Sequence, residues 1–252
     1  MHRTAPRLAR ILACAAVPVM LVASGCSSDS DGKPKAEKSQ KSEKTDKAGS
    51  SGGAALATPE SEKKPAVAPV KFTKLPEACR SLKPKTIEKL VPSTKAKAGT
   101  PGRSTDLLTR GSCSWNGLDD NGVKGSQYRW LDVSFLRFES DAALGTSGKQ
   151  RAQEAYTKEV AKNRATTGAK NVKAAPSAGV GEEATALSYQ LRKTGEDFSY
   201  VTIVTRTDNI LITLTYNGTG YAGAKPPAVA DLLKDAVPAV KETVTSVTAA
   251  NK

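Results

Sequence analysis

The amino-acid sequence predicts an α+β domain over residues 71–252, with an antiparallel sheet flanked by N-terminal and C-terminal helices. Two patterns lead to this fold class. The middle of the range alternates between apolar and polar residues, as half-buried strands do, and its two ends show the three- and four-residue spacing of amphipathic helices. No internal repeat is apparent, and the length suits one domain with a single core.

A first helix is expected within residues 75–93, where Pro84 suits a first helical turn and Pro92 ends the helix. Its apolar positions are Leu82, Ile87, Leu90 and Val91. A second, mostly exposed helix is expected over residues 149–163, because that segment is rich in helix-forming residues.

A last helix is expected after Pro226 and Pro227. Its apolar stripe consists of Val229, Leu232, Leu233, Ala236, Val240, Val244 and Val247. Pro238 lies inside that stripe, so the helix is expected to kink there or to divide in two. The helices are expected to cover one face of the sheet.

The first two strands are expected at residues 111–117 and 127–139, with Asn121 and Gly122 forming a hairpin-type turn between them. In the second of these strands, alternation separates Leu131, Val133 and Phe135 from Tyr128, Trp130, Leu136 and Phe138. Both faces of this strand are therefore expected to be buried to some degree.

Three more strands are expected towards the C-terminus. A glycine turn leads into a strand over residues 179–192. Residues 199–218 contain two β-rich runs, and Asp208 and Asn209 separate them. This pattern predicts a tight hairpin.

The first 25 residues have the layout of a secretory signal. Arg3, Arg7 and Arg10 precede an uncharged apolar run at 11–23, which is shorter than the ~20 residues that span a bilayer. The Ala-Ser-Gly-Cys sequence that ends at Cys26 resembles the lipobox of bacterial lipoproteins. The resemblance implies that residues 1–25 are removed and that the Cys26 thiol receives diacylglycerol. Ordinary secretion, with Cys26 as a spare thiol, is the alternative.

Residues 26–70 are expected to be a disordered tether. They consist mostly of Lys, Glu, Ser, Gly, Ala and Pro, and they contain no aromatic residue and no apolar periodicity. A flexible chain of this kind has a reach of roughly 40 Å. It would hold the folded domain clear of the membrane, on the extracytoplasmic face.

The chain carries a formal net charge of +13. Its lysines are spread singly, only 5% of its residues are aromatic, and it has no nucleic-acid-binding motif. Nucleic acid is therefore not an expected partner. The expected contacts are a membrane, reached through lipid on Cys26, and anionic head groups or acidic envelope polymers near the positive surface.

Four cysteines are present, and two of them remain for the folded domain. Cys14 leaves with the signal peptide, and Cys26 is the expected lipid site. Cys79 and Cys113 would then lie in an oxidising compartment, where they are expected to form a disulfide between the first helix and the first strand. Two buried free thiols are the alternative.

Four features together resemble an actinobacterial lipoprotein family catalogued as a domain of unknown function. They are the lipobox with its tether, a Leu-x-x-x-Cys segment ending at Cys79, a Cys-x-Trp strand at 113–115, and a Gly-x-Gly-Glu-Glu-Ala turn at 179–184. The order of elements is similar to the PsbP-like fold. The family has no established activity, so the resemblance implies a location and a fold but no reaction.

No candidate for catalysis is complete. The one histidine, His2, leaves with the signal peptide, which excludes a Ser-His-Asp triad, Cys-His catalysis and His-based metal sites. The glycine motif at 179–184 precedes a strand where a dinucleotide site would open a helix. Residues 119–122 begin like a calcium loop but lack the later ligands. No catalytic residue, metal or cofactor is expected.

The acidic pairs Glu182–Glu183 and Glu196–Asp197 leave one enzymatic hypothesis open, a carboxylate-dependent hydrolase of the envelope. The favoured hypothesis is a non-enzymatic binding or accessory module for an envelope lipid, glycan or protein. Tyr128, Trp130 and Tyr189 are the residues expected to line its cleft, with Trp115 a further aromatic candidate. A purely structural role is a third possibility that the sequence does not separate from binding.

Overall fold

The structure is a computed structural model, and it describes residues 66–252. The expected signal peptide, Cys26 and the tether up to residue 65 lie outside the described residues. The described part contains one seven-stranded antiparallel sheet and three α-helices, which confirms the α+β fold class.

The strands form two antiparallel meanders that meet in the centre of the sheet. In space their order is β1-β2-β3-β7-β6-β5-β4, so β3 and β7 are the central neighbours. Their bounds are Thr100–Pro101 for β1, Arg110–Asp119 for β2, Ser126–Arg137 for β3, Lys170–Pro176 for β4, Glu183–Lys193 for β5, Glu196–Thr207 for β6 and Ile210–Tyr221 for β7.

The helices are α1 (Pro84–Leu90), α2 (Gly148–Arg164) and α3 (Val229–Ala250). Two short 3-10 helices, Ala78–Arg80 and Gly122–Lys124, lie before α1 and in the β2–β3 turn. A capping box begins α2, because the side chains of Ser147 and Gln150 each bond the other's backbone N–H.

The bounds of the first helix differ from the expectation, and the last helix is not divided. The first helix is shorter than the segment 75–93, although Pro84 does occupy its first turn. The last helix continues through Pro238 without dividing. Pro238 is exposed, so the helix turn that lacks its backbone N–H bond faces water, where the freed carbonyl can be hydrated.

The expectation that the helices cover one face of the sheet is wrong. Helix α3 packs with α1 and the N-terminal segment on one face, against residues such as Val201 and Ile203 of β6. Helix α2 packs on the opposite face, where Tyr156 contacts the cluster that includes Val204 and Leu211. Both faces of β6 are apolar, so each face needs a covering layer.

The N-terminal segment is held at the end of the sheet where β6 turns into β7. The side chain of Asn209, in that turn, accepts a hydrogen bond from the Phe72 N–H and donates one to the Phe72 carbonyl. The Ala68 carbonyl accepts from the Ser140 hydroxyl at 2.6 Å. The contacts of the domain therefore include the last three residues, 68–70, of the segment expected to be tether.

A disulfide joins Cys79 and Cys113, whose Cα atoms lie 5.0 Å apart. It links the 3-10 helix before α1 to β2, as the sequence predicts. Beside it, Trp115 is fully buried in the main core, so this tryptophan does not line a cleft.

Candidate functional site

Half of the α2 side of the sheet is left without a covering helix. Helix α2 lies over β5, β6 and β7, and its edge stops short of β2 and most of β3. Alternate residues of β2, β3 and β7 therefore form a surface that we call the open face. Its side chains are Ser112, Ser114, Asn116, Tyr128, Trp130, Asp132, Ser134, Thr213, Thr215 and Asn217.

A cavity of about 290 Å³ lies along the α2 edge of the open face. Its floor is polar, with hydroxyl groups from all three strands: Ser112, Ser134 and Thr213. Glu159 and Lys162 of α2 form one wall, and Arg103 and Arg110 form the wall on the β1–β2 side. The cavity is therefore a groove between a helix and a loop, open along the sheet.

Tyr128 and Trp130 supply half-buried aromatic rings to the open face. Trp130 lies opposite Asn116 on β2 and Asn217 on β7. The ring of Tyr128 meets Phe198 edge to face, at a centroid distance of 6.2 Å. Rings fixed in this way present flat apolar surface next to polar groups, at little further entropic cost on binding.

Tyr189 points to the same side of the sheet but lies outside the open face. Its ring is buried and stacks on Tyr200 at 4.9 Å, with the two planes 5° apart. Ala169, which follows α2, packs on this cluster. The structure thus brings Tyr128 and Trp130 together on β3. It places Tyr189 on β5, and strands β7 and β6 lie between them.

Asp132 is a site residue that the sequence analysis missed. It lies in the middle of the open face, between Ser114 on β2 and Thr215 on β7. Burial raises the pKa of its carboxyl group to about 6. Within residues 66–252, no hydrogen bond and no ion pair to this carboxylate is formed. A desolvated acid without a partner on an uncovered sheet face is a candidate for a functional site.

Asn217 adds a second polar group without a partner. It is only 1% exposed, and it lies between Trp130 and Tyr200 in the sheet register. In the described part of the chain, its Nδ2 group has no acceptor. Leaving a buried donor unpaired costs ~1–3 kcal/mol. Such groups are rare in folded proteins, and this one lies directly beside Trp130.

Positive charge is concentrated at the loop end of the groove. Arg103 and Arg110 are exposed, and neither forms an ion pair with another described residue. Lys162 pairs with Glu159 across one turn of α2 at 3.2 Å. The open face therefore has cationic side chains at one end, where Arg103 and Arg110 line the cavity, and the aromatic rings of Tyr128 and Trp130 further along β3, outside the cavity lining.

The glycine motif at 179–184 is a structural turn before β5. Gly181 has a φ of 59°, and a Cβ there would lie 2.5 Å from the Thr205 hydroxyl, so only glycine fits. The Glu182 carboxylate binds Arg206 at 3.0 Å and Lys149 at 3.2 Å. These cations, through their hydrogen bonds and charge, hold the pKa of Glu182 below its usual value against the opposing effect of burial.

The acidic turn at 119–122 also has a structural role. The Asp120 carboxylate accepts hydrogen bonds from the Gly122 N–H and the Ser126 hydroxyl, which hold its pKa below the usual value. Across residues 66–252, no cluster of three or more metal-ligating side chains is present. Over the same range, none of the helices is long and apolar enough to cross a membrane.

No protein-family model matches the chain, and no curated protein sequence matches it. Among solved structures, the chain is similar to LpqN, which is described as involved in cell envelope biogenesis of Mycobacterium tuberculosis. The two are 13% identical, the alignment covers 57% of this chain and 82% of LpqN, and the TM-score is 0.27. A similarity of this size transfers no property to this chain. The resemblance to the actinobacterial lipoprotein family therefore stays a prediction.

Proposed function

We propose that the protein is an extracytoplasmic lipoprotein whose domain binds an envelope saccharide on the open face and does not catalyse a reaction. One observation carries this proposal: the α2 side of the sheet exposes Trp130 and Tyr128 beside the unpartnered carboxylate of Asp132. A domain that needed only a stable core would cover such rings and pair such an acid.

A saccharide matches the chemistry of the open face and its cavity. The C–H groups on one side of a sugar ring can pack on the faces of Trp130 and Tyr128, whose π-electrons attract them. Sugar hydroxyls can donate to Asp132 and exchange hydrogen bonds with the serine and threonine hydroxyls of the floor. Arg103 and Arg110, which line the cavity and form no ion pair within residues 66–252, favour a saccharide that carries carboxylate or phosphate groups.

The carboxylate-dependent hydrolase remains a second candidate because of Asp132. An acid whose pKa is about 6 could act as a general acid. The carboxylate that lines the cavity is Glu159, which accepts hydrogen bonds from Lys162 and Asn163. A hydrolase would need both carboxylates, so turnover that disappears in Asp132→Asn and in Glu159→Gln would replace the binding proposal with this one.

Removing the ring of Trp130 tests the binding proposal. In a panel of acidic and neutral oligosaccharides, the wild-type protein is expected to bind at least one member. Trp130→Ala is expected to weaken that binding by about tenfold, because an aromatic stacking contact contributes on the order of 1 kcal/mol beyond area burial. Calorimetric titration measures the change.

Val172→Ala is the matched control, since Val172 is exposed on the edge strand β4, away from the open face. Circular dichroism checks that both variants are folded. Unchanged affinity in Trp130→Ala would refute the open face as the site. Binding of a protein or a lipid, with no oligosaccharide bound, would refute the saccharide.

The lipid anchor is tested separately, at Cys26. The proposal rests on the charged, apolar and small-residue sequence that precedes this cysteine. Cys26→Ser is expected to move the protein from the membrane fraction to the soluble fraction, or to stall its processing, because no thiol remains to receive lipid. A correctly processed Cys26→Ser protein that stays entirely in the membrane fraction would contradict the anchor.

A further inference from the structure

Two adjacent leucines stand out on the surface, in the loop between β1 and β2. The side chains of Leu107 and Leu108 are 72% and 77% exposed. Leu144, in the connection between β3 and α2, is similarly exposed at the same end of the sheet. Single exposed leucines are ordinary, but two in sequence at a loop tip form an apolar contact surface.

The loop holds these leucines outward through its own hydrogen bonds. The Asp106 carboxylate accepts from the backbone N–H of Thr109, and the Ser104 hydroxyl bonds the backbone of Asp106. The buried guanidinium of Arg137 donates to the Leu108 carbonyl at 3.1 Å. Because its backbone is tied to β3, the loop presents the two side chains to solvent at a defined place.

The chain enters the domain at this same end of the sheet. Thr109 bonds the backbone of Arg137 at the end of β3, and Ser140, three residues further on, bonds Ala68. Residues 27–65 lie between Cys26 and this entry point. If Cys26 carries a lipid, these residues connect the membrane to the end of the domain that carries Leu107 and Leu108.

We infer that this end of the domain docks on an anionic lipid bilayer, with Leu107 and Leu108 inserted among the acyl chains and Arg103 and Arg110 against the head groups. Two arginines that form no ion pair with any described residue flank the exposed leucines, and the Asp106 carboxylate beside them accepts a hydrogen bond from the Thr109 N–H. Apolar insertion and arginine–phosphate contact each give weak binding, and together they orient a domain on a surface.

Vesicle flotation tests this docking without the lipid anchor or a groove ligand. The variant used spans residues 26–252 and carries Cys26→Ser. No acyl chain is attached to it, and the whole tether is kept. It is expected to float with phosphatidylglycerol-containing vesicles and much less with pure phosphatidylcholine vesicles. Adding Leu107→Ser and Leu108→Ser together is expected to lower the partition coefficient by about tenfold or more.

Val123→Ser is the matched control. Val123 is 99% exposed in the β2–β3 turn, at the opposite end of the sheet, and its loss is expected to leave flotation unchanged. Arg103→Gln and Arg110→Gln are each expected to lower partition on anionic vesicles by about fivefold. The inference is overturned if the wild-type sequence does not float, if the double leucine variant floats equally well, or if Val123→Ser loses as much. None of these outcomes depends on saccharide binding.

Discussion

Reducing the Cys79–Cys113 disulfide is expected to lower the free energy of unfolding by about 3–4 kcal/mol. The two cysteines are 34 residues apart, so the bond closes a long loop and removes much conformational freedom from the unfolded chain. Domain stabilities are typically ~5–15 kcal/mol, which makes this loss a large share of the total. Urea unfolding with and without reductant measures it.

The disulfide packs beside part of the loop that it closes. The closed loop contains Gly99, which packs against the Cys113 sulfur and the Trp115 ring, and the two-residue strand β1. In the rest of the closed loop, Leu82, Ile87, Leu90 and Val91 pack in the main core. The control is the double variant Cys79→Ala with Cys113→Ala, which should be less stable than the wild type and insensitive to reductant. Equal stability of oxidised and reduced wild-type protein would refute the stabilising role.

Asp132→Asn is expected to stabilise the protein at neutral pH by about 1–2 kcal/mol. The folded-state pKa of Asp132 is raised from 3.8 to about 6, because burial disfavours its charged form. At about 1.4 kcal/mol per pH unit the full shift amounts to ~3 kcal/mol, and partial contact with solvent reduces the expected effect. The amide removes the charge and keeps the shape.

The raised pKa of Asp132 also sets the pH range in which the stability of the variant differs from that of the wild type. Because the folded pKa lies above the unfolded one, wild-type stability falls as pH rises from about 4 to above 6. Asp132→Asn should therefore match the wild type near pH 4 and exceed it at pH 8. Glu154→Gln, on the exposed side of α2, is the control and should change little at either pH. A variant that is equally stabilised at pH 4 and pH 8 would contradict the titration of Asp132.

The sequence predicts the strands that are β-rich or alternate clearly and misses those that are neither. Strands β6 and β7 contain long β-rich runs around Asp208 and Asn209, and both were expected. Strand β4 is an edge strand, Lys170–Pro176, whose side chains are nearly all exposed, so no apolar pattern marks it. Strand β1 has only two residues. Both strands form because they pair with a neighbouring strand, and their own residues carry no pattern that predicts them.

The side of the sheet covered by α2 could not be predicted, because this helix has no strong apolar stripe. Its buried residues are only Gly148, Ala152 and Tyr156. Helix α3 has a continuous stripe that predicts it correctly, and Pro238 does not divide it. A weak stripe indicates that a helix is mostly exposed, but it does not indicate which face of the sheet the helix covers.

The open face was predictable in part. The alternation of β3 separates Tyr128 and Trp130 from Leu131 and Val133, and the structure keeps that separation. Asp132 was missed because a carboxylate within a strand suggests a solvated position. It is desolvated by burial within the sheet, where Ser114 and Thr215 are its neighbours, and this register between distant segments is not visible in a single sequence.

The fluorescence of Trp130 gives the most direct test of the open face as the binding site. The chain has two tryptophans, and Trp115 is 0% exposed, so iodide should quench Trp130 selectively. During titration with a bound oligosaccharide, the emission of Trp130 is expected to shift to shorter wavelength and to become protected from iodide, because the sugar covers its ring. Saturable binding that leaves both the emission and the iodide quenching unchanged would contradict the proposed function.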